Sequence, residues 1–204
     1  MLAKDVLRCV QNLLKEDGFR SSADGILLRP IRPGFETFVG LNAAIHRVDG
    51  LVGINPVVGV RDDAVENLLT ELTGNRGTTT LSISLGYLMP EQRYIEWKFG
   101  TADTDIAKSL LHSVRTFGFP AVESLASPEA IIESLKTRRM TIDQNRAYRL
   151  PVAYLLRGKK KLAIQELHRE LDSVGDRADT AAKDYRRFAD RLENRAKAAE
   201  EIVG

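Results

Sequence analysis

The strand-period spacing of apolar residues in this chain stops near Thr101, and that limits what the chain can fold into. Upstream, most apolar side chains recur at every second position, the period of a strand with one buried face. Phe35, Thr37, Val39, Leu41, Ala43 and Ile45 alternate with Glu36, Asn42 and His46, and Thr79, Leu81, Ile83, Leu85 and Tyr87 alternate with Thr80, Ser82 and Ser84. Downstream the spacing is three and four throughout, which is the period of helices. The expected fold is therefore α+β: a mainly antiparallel sheet with helices packed on one face, followed by an all-helical C-terminal third. The spacing places a sheet domain over residues 1–118 and a helical region over 119–204.

Local signals fill in the order. Leu2, Val6, Cys9, Val10, Leu13 and Leu14 line one face of a first helix that ends at Asp17-Gly18. A short hairpin turns at Ala23-Asp24-Gly25, and Pro30 and Pro33 argue against a central strand over 29–34, because neither nitrogen can donate to a ladder. A strand over 51–60 follows the turn at Asp49-Gly50. Asp62 starts a helix that Gly74 closes. Arg93 to Phe99 is expected to pair with the strand before it, with Ile95 and Trp97 on the core side and Tyr94, Glu96 and Lys98 on the other. Helices are expected over 105–117, 128–138, 144–157, 159–174 and 178–203, with a joint at Gly158.

The chemistry of catalysis is not gathered anywhere along the chain. There is no GxSxG around Ser82 or Ser84, and Gly158-Lys159 lacks both the upstream glycine and the hydroxyl of a phosphate-binding loop. His46, His112 and His168 sit in separate elements without a partner at ligand spacing. Cys9 is alone, so no internal disulfide or CxxC site forms, and it reads as a small buried hydrophobe. The strand-borne Glu96-Trp97-Lys98 matches half of a metal-dependent nuclease site, yet residues 79–88 carry no acid to complete it. No catalytic residue, metal ligand or cofactor is expected from this pattern.

Charge narrows the partners. With 30 basic against 28 acidic residues the formal charge is +2, too balanced for a tail-type nucleic-acid binder. One segment departs from that balance. Between Lys136 and Lys161 lie Arg138, Arg139, Arg146, Arg149, Arg157, Lys159 and Lys160 against Asp143 alone, with Tyr148 and Tyr154 interleaved. It reads either as a helical face offset by acids such as Glu166, Glu170 and Asp172, or as a surface for phosphates or an acidic protein. The amphipathic start has no signal-peptide pattern, and no apolar run is long enough to span a bilayer, so a cytoplasmic protein is expected.

Three stretches resemble a group of small bacterial α+β proteins: Leu13-Leu14-Lys15-Glu16-Asp17-Gly18-Phe19, Leu85-Gly86-Tyr87 with Tyr94-Ile95-Glu96-Trp97-Lys98-Phe99, and Leu150-Pro151-Val152-Ala153-Tyr154-Leu155-Leu156. Some members look like immunity proteins of polymorphic or contact-dependent toxin systems. The resemblance implies protection by stoichiometric binding of a cognate toxin domain, and it carries over no functional residue. Contact residues are expected among aromatic and arginine side chains: Tyr94 with Glu96 and Lys98 on the sheet, and Arg138, Arg139, Tyr148 and Arg149 in the basic segment. The competing readings are a helical adaptor or regulatory subunit, and a nucleic-acid-associated protein with a degenerate nuclease strand.

Overall fold

A computed structural model describes residues 2–21, 26–46, 50–138, 140 and 143–201. The fold is α+β, with a six-stranded sheet and helices at the C-terminal end. The chain divides into two compact units, residues 1–61 with 81–127, and residues 62–80 with 128–204. The helix over 63–73 thus groups with the C-terminal helices rather than with the sheet, and the later boundary lies at Ser127 rather than near residue 118.

The first unit opens with α1 (Leu2–Glu16), which buries Val6, Val10 and Leu14 and leaves Cys9 half-buried at the edge of that stripe. Strands β1 (Arg20–Ser21), β2 (Leu27–Arg32), β3 (Phe35–Ile45) and β4 (Val52–Asp62) follow, then β5 (Leu81–Ser84) and β6 (Trp97–Phe99). Strands β1 to β5 lie side by side in chain order. The expected turns at 23–25 and at Asp49 fall outside the described residues. Strand β2 does run through Pro30, with a register shift between Pro30 and Arg32. Since β1 reaches only Leu27 and Leu28, the proline lies past its end, where no donor is needed.

Two expectations about the strands are corrected. The stretch 79–87 is strand only from Leu81 to Ser84; Leu85–Tyr87 turns into a single 3-10 turn. A Cβ on buried Gly86 would stand 2.2 Å from the Arg93 carbonyl oxygen, so the backbone folds on itself there. The returning strand β6 consequently pairs with β4, not β5: Val52 faces Phe99, Gly53 faces Lys98 and Ile54 faces Trp97. Strand β5 covers only Val57–Val60, leaving that first stretch of β4 open to a second partner. On β3, Phe35–Val39 is buried on both faces, whereas Ala43 and Ile45 are exposed despite their alternation with polar neighbours. Helix α1 and the helical turn at Phe119–Glu123 cover only part of that strand's length.

Helix α3 (Thr104–Ser113) is capped by Asp103, whose carboxylate accepts from the Asp105 and Ile106 amides. It runs through a π turn at Val114–Gly118 into α4 (Phe119–Glu123). A Cβ at Gly118 would sit 3.1 Å from Val58 Cγ1, so this helix packs directly on the face of β4 that carries Val58. By alternation Val52, Ile54 and Val60 share that face, all buried. Gly53 and Asn55 therefore point to the other one.

The second unit begins with α2 (Asp63–Thr73). Asp62 caps it by accepting from the Ala64 and Val65 amides, and Gly74 ends it in a left-handed conformation, as its sequence predicts. The remaining helices are α5 (Pro128–Lys136), α6 (Asp143–Leu156), α7 (Lys160–Val174) and α8 (Thr180–Glu201). Gly158, at φ +67, is the joint between α6 and α7. Helix α8 buries Tyr185, Phe188, Ala189, Leu192 and Ala196, which recur along the sequence at the three-and-four spacing of one helical stripe. Tyr185 and Phe188 pack with Tyr148 at ring-centroid distances of 4.8 to 5.6 Å, and the Tyr185 hydroxyl donates to the Ala147 carbonyl. Burial pushes the Tyr185 phenol far up from its usual range. Among the described residues, no helix is long and apolar enough to cross a membrane.

Candidate functional site

The sheet face away from α3 and α4 carries a cluster that sequence spacing does not announce. Residues 85–96 leave the sheet as a tight loop: the Leu88 amide bonds Leu85, the Gln92 amide bonds Met89, and the Arg93 amide returns to Gly86. Tyr87 and Tyr94 thus leave the same stem, directly after Gly86 and Arg93, and both are more than half exposed (51% and 55%). Asn55 fastens the loop to β4. Its amide donates to the Ile95 carbonyl at 2.7 Å and to Ser84 Oγ at 2.8 Å.

That anchoring sets Glu96 over Gly53. The Tyr94 hydroxyl donates to Glu96 Oε1 at 2.7 Å, and His46 Nε2 stands 3.0 Å from Glu96 Oε2. Donation by Tyr94 is the main reason the Glu96 carboxyl lies below its ordinary range; burial opposes it, and the charges of His46 and Lys98 add to it. The same bond to Glu96 raises the Tyr94 phenol. A Cβ at Gly53 would lie 2.6 Å from His46 Nε2 and 2.9 Å from Glu96 Oε2, so the pair sits flat against glycine backbone. The floor must be small.

The histidine is the part that the sequence concealed. His46 does have a partner, but one 50 residues away on the far side of β4, and nothing local marks it. Of the sheet residues expected to meet a partner, Tyr94 and Glu96 are joined by this bond, and exposed Lys98 lies opposite Gly53 in the register. Ile45, next to His46, is also open, at 66% exposure. Trp97 faces the other way, half-buried opposite Ile54. The cluster can hold an aromatic ring in place at the surface and present a carboxylate beside it. Among the described residues, no group of three or more His, Cys, Asp or Glu is gathered to hold a metal ion.

The basic segment is placed in the second unit, where acids meet much of it. Arg146, 5% exposed in its side chain, donates to Glu170 Oε1 at 2.7 Å, to Glu166 Oε2 at 3.0 Å and to the Leu135 carbonyl. Arg149 donates through Nε and Nη2 to the two oxygens of Glu66, which is fully buried and also accepts from the Thr80 hydroxyl at 3.0 Å. Two of the acids foreseen as neutralisers are thus in place, and a third, Glu66, was missed. Its only sequence mark is its position beside Val65 and three before Leu69, on the apolar stripe of α2. Tyr148 is half-buried in the aromatic cluster, and burial together with the Asp184 charge raises its phenol. Arg138 is exposed, in a left-handed backbone conformation just past α5, and Arg139 falls outside the described residues.

Searches of protein-family models, of curated proteins and of solved structures found nothing that matches this chain.

Proposed function

We propose that this chain works in the cytoplasm by binding another protein, as an immunity protein that neutralises a cognate bacterial toxin stoichiometrically. The contact is the face of the first unit that carries Tyr94, Glu96 and Lys98. One observation carries the reading: the Tyr94 ring is over half exposed and yet tied through its hydroxyl to Glu96, itself in reach of His46. An exposed aromatic normally loses rotamer freedom when it binds. A tethered one has already lost much of it, which is what a tight-binding anchor requires. Tyr87 on the same loop stem supplies further apolar contact. A stable complex of this kind buries roughly 1,600 Å² in all.

The test is co-expression with the toxin domain encoded by the adjacent reading frame. The wild-type chain is expected to restore growth and to co-elute with the toxin as a one-to-one complex. Tyr94→Ala is expected to weaken that complex by about 2 kcal/mol, a loss of roughly thirtyfold in affinity, at unchanged melting temperature. Wild-type affinity in Tyr94→Ala moves the contact off this face. Absence of any complex with neighbouring products rejects the immunity reading itself.

A further inference from the structure

The second unit contains a cleft that the protein-binding reading does not use. It has a volume of about 540 Å³ and lies between the end of α2 with its following loop, α6 and α8. Four guanidinium groups line it, those of Arg76, Arg149, Arg187 and Arg191, against two carboxylates, Glu66 and Asp184. Two positive charges are in excess.

The groups differ in how fully they are engaged. Arg191 Nη1 donates to the Leu72 carbonyl at 2.7 Å. Arg149 directs Nε and Nη2 at Glu66, which leaves Nη1 uncommitted by that pairing. This guanidinium is rigid, because its partner is buried and is further held by Thr80. The loop closes over the pair so tightly that a Cβ on Gly77 would stand 1.7 Å from Glu66 Oε2. Arg187 is paired with Asp184, but both are largely exposed, and an exposed pair of this kind yields readily to a competing dianion. Arg76 is exposed and makes no ion pair among the described residues. Tyr148 and Phe188, whose rings pack at 4.8 Å, add aromatic lining.

A fixed, part-buried arginine, exposed arginines and aromatic lining together suit a ligand with a doubly charged head and a flat body. Planar guanidinium forks match the oxygens of a phosphate, and the volume falls within the usual range for small-molecule sites. We propose that this cleft binds a phosphorylated small molecule, with its phosphate monoester among Arg76, Arg149 and Arg187 and an attached ring against Tyr148.

The probes are inorganic phosphate, ribose 5-phosphate, adenosine and AMP, titrated calorimetrically into the full chain at low salt. AMP is expected to bind at least tenfold more tightly than inorganic phosphate, and adenosine not measurably. The variants Arg76→Ala and Arg187→Ala, exposed and so expected to fold normally by circular dichroism, should each weaken AMP by five- to tenfold. Each should also flatten the dependence of log K on log salt. Ribose 5-phosphate equal to AMP would remove the ring from the proposal and leave the phosphate site standing. Binding of AMP unchanged in the double variant, or matched by adenosine, would overturn it. None of these readings depends on the toxin experiment, so either proposal can fail alone.

Discussion

Two glutamates in this molecule are each held by two side chains and each lie against a glycine, yet they do opposite things. Glu96, in the first unit, accepts from Tyr94 and lies by His46 over Gly53; its side chain is 15% exposed, and Tyr94 stands in solvent. Glu66, in the second, accepts from Thr80 and twice from Arg149 under Gly77, with no exposure at all. The difference lies in solvation. A carboxylate at the surface keeps its energetic options open, and its bonds serve to position the partner, here an aromatic ring. A carboxylate taken wholly out of water must be matched charge for charge, so its bonds tie distant segments of chain together. The first arrangement fixes a ring at the surface; the second is framework, with the Nη1 edge of Arg149 outside the pairing.

The largest effect that could break this contrast is removal of Arg149. Arg149→Ala leaves Glu66 as an uncompensated buried charge and is expected to lower the unfolding free energy by about 3–5 kcal/mol. The double substitution Glu66→Leu with Arg149→Met should recover most of that loss, because packed apolar groups replace a buried ion pair at little net cost. Equilibrium unfolding in urea reads both. A loss below about 1 kcal/mol for Arg149→Ala would mean that Glu66 reaches water, and the distinction from Glu96 would fall.

The glycines sharpen the comparison at the next scale. Gly77→Ala forces a methyl group to within 1.7 Å of Glu66 Oε2 and 3.2 Å of Arg149 Nη2, both clamped. The expected cost is about 2–3 kcal/mol, the penalty of overpacking a site that cannot give way. Gly53→Ala places its methyl 2.6 Å from His46 Nε2 and 2.9 Å from Glu96 Oε2, which are ends of side chains with room to swing outward. It should cost under about 1 kcal/mol in stability while releasing Tyr94. The two melting temperatures measured side by side decide it. Equal losses would show that the surface cluster is as rigid as the buried one.

How much of this was visible in the sequence divides along the same line. Local features were legible: the Asp62 and Gly74 caps of α2, the Gly158 joint and the α8 stripe all follow from short-range rules, and all are where the spacing puts them. The basic segment was legible in outline, since Arg146 does meet Glu166 and Glu170. Both glutamate clusters were not. His46 and Glu96 are 50 residues apart, Glu66 and Arg149 83, and no periodicity couples positions at that range. The over-long strand at 79–87 failed for a related reason. Its alternation is real, but Gly86 packs against a backbone oxygen seven residues further on, a tertiary contact that overrides local preference.

The smallest effect tests solvation through pH, using two carboxyls displaced in opposite directions. Burial raises Asp62 from its ordinary range, against the pull of its two amide bonds, whereas the Tyr94 bond chiefly lowers Glu96. For Asp62 the folded state holds its proton more tightly than the unfolded chain does. Ionisation therefore favours unfolding, and the wild type loses stability as pH rises through the folded value. Asp62→Asn keeps the capping oxygen and removes that charge. It is expected to gain stability at pH 7, by less than about 1 kcal/mol since Asn caps as well as Asp, with the gain vanishing in acid below the carboxylate range. Glu96 runs the other way. Its contribution is present above the unfolded value and is lost as pH falls through the depressed folded one, so Glu96→Gln should cost stability at pH 7 and nothing in acid. Thermal unfolding of both variants from pH 3 to pH 7 gives two difference curves of opposite sign that converge at the acid end. Curves of the same sign would mean that Asp62 is stabilised more by its amide donors than it is penalised by burial, and the rule drawn from Glu66 would not extend to the rest of its own helix.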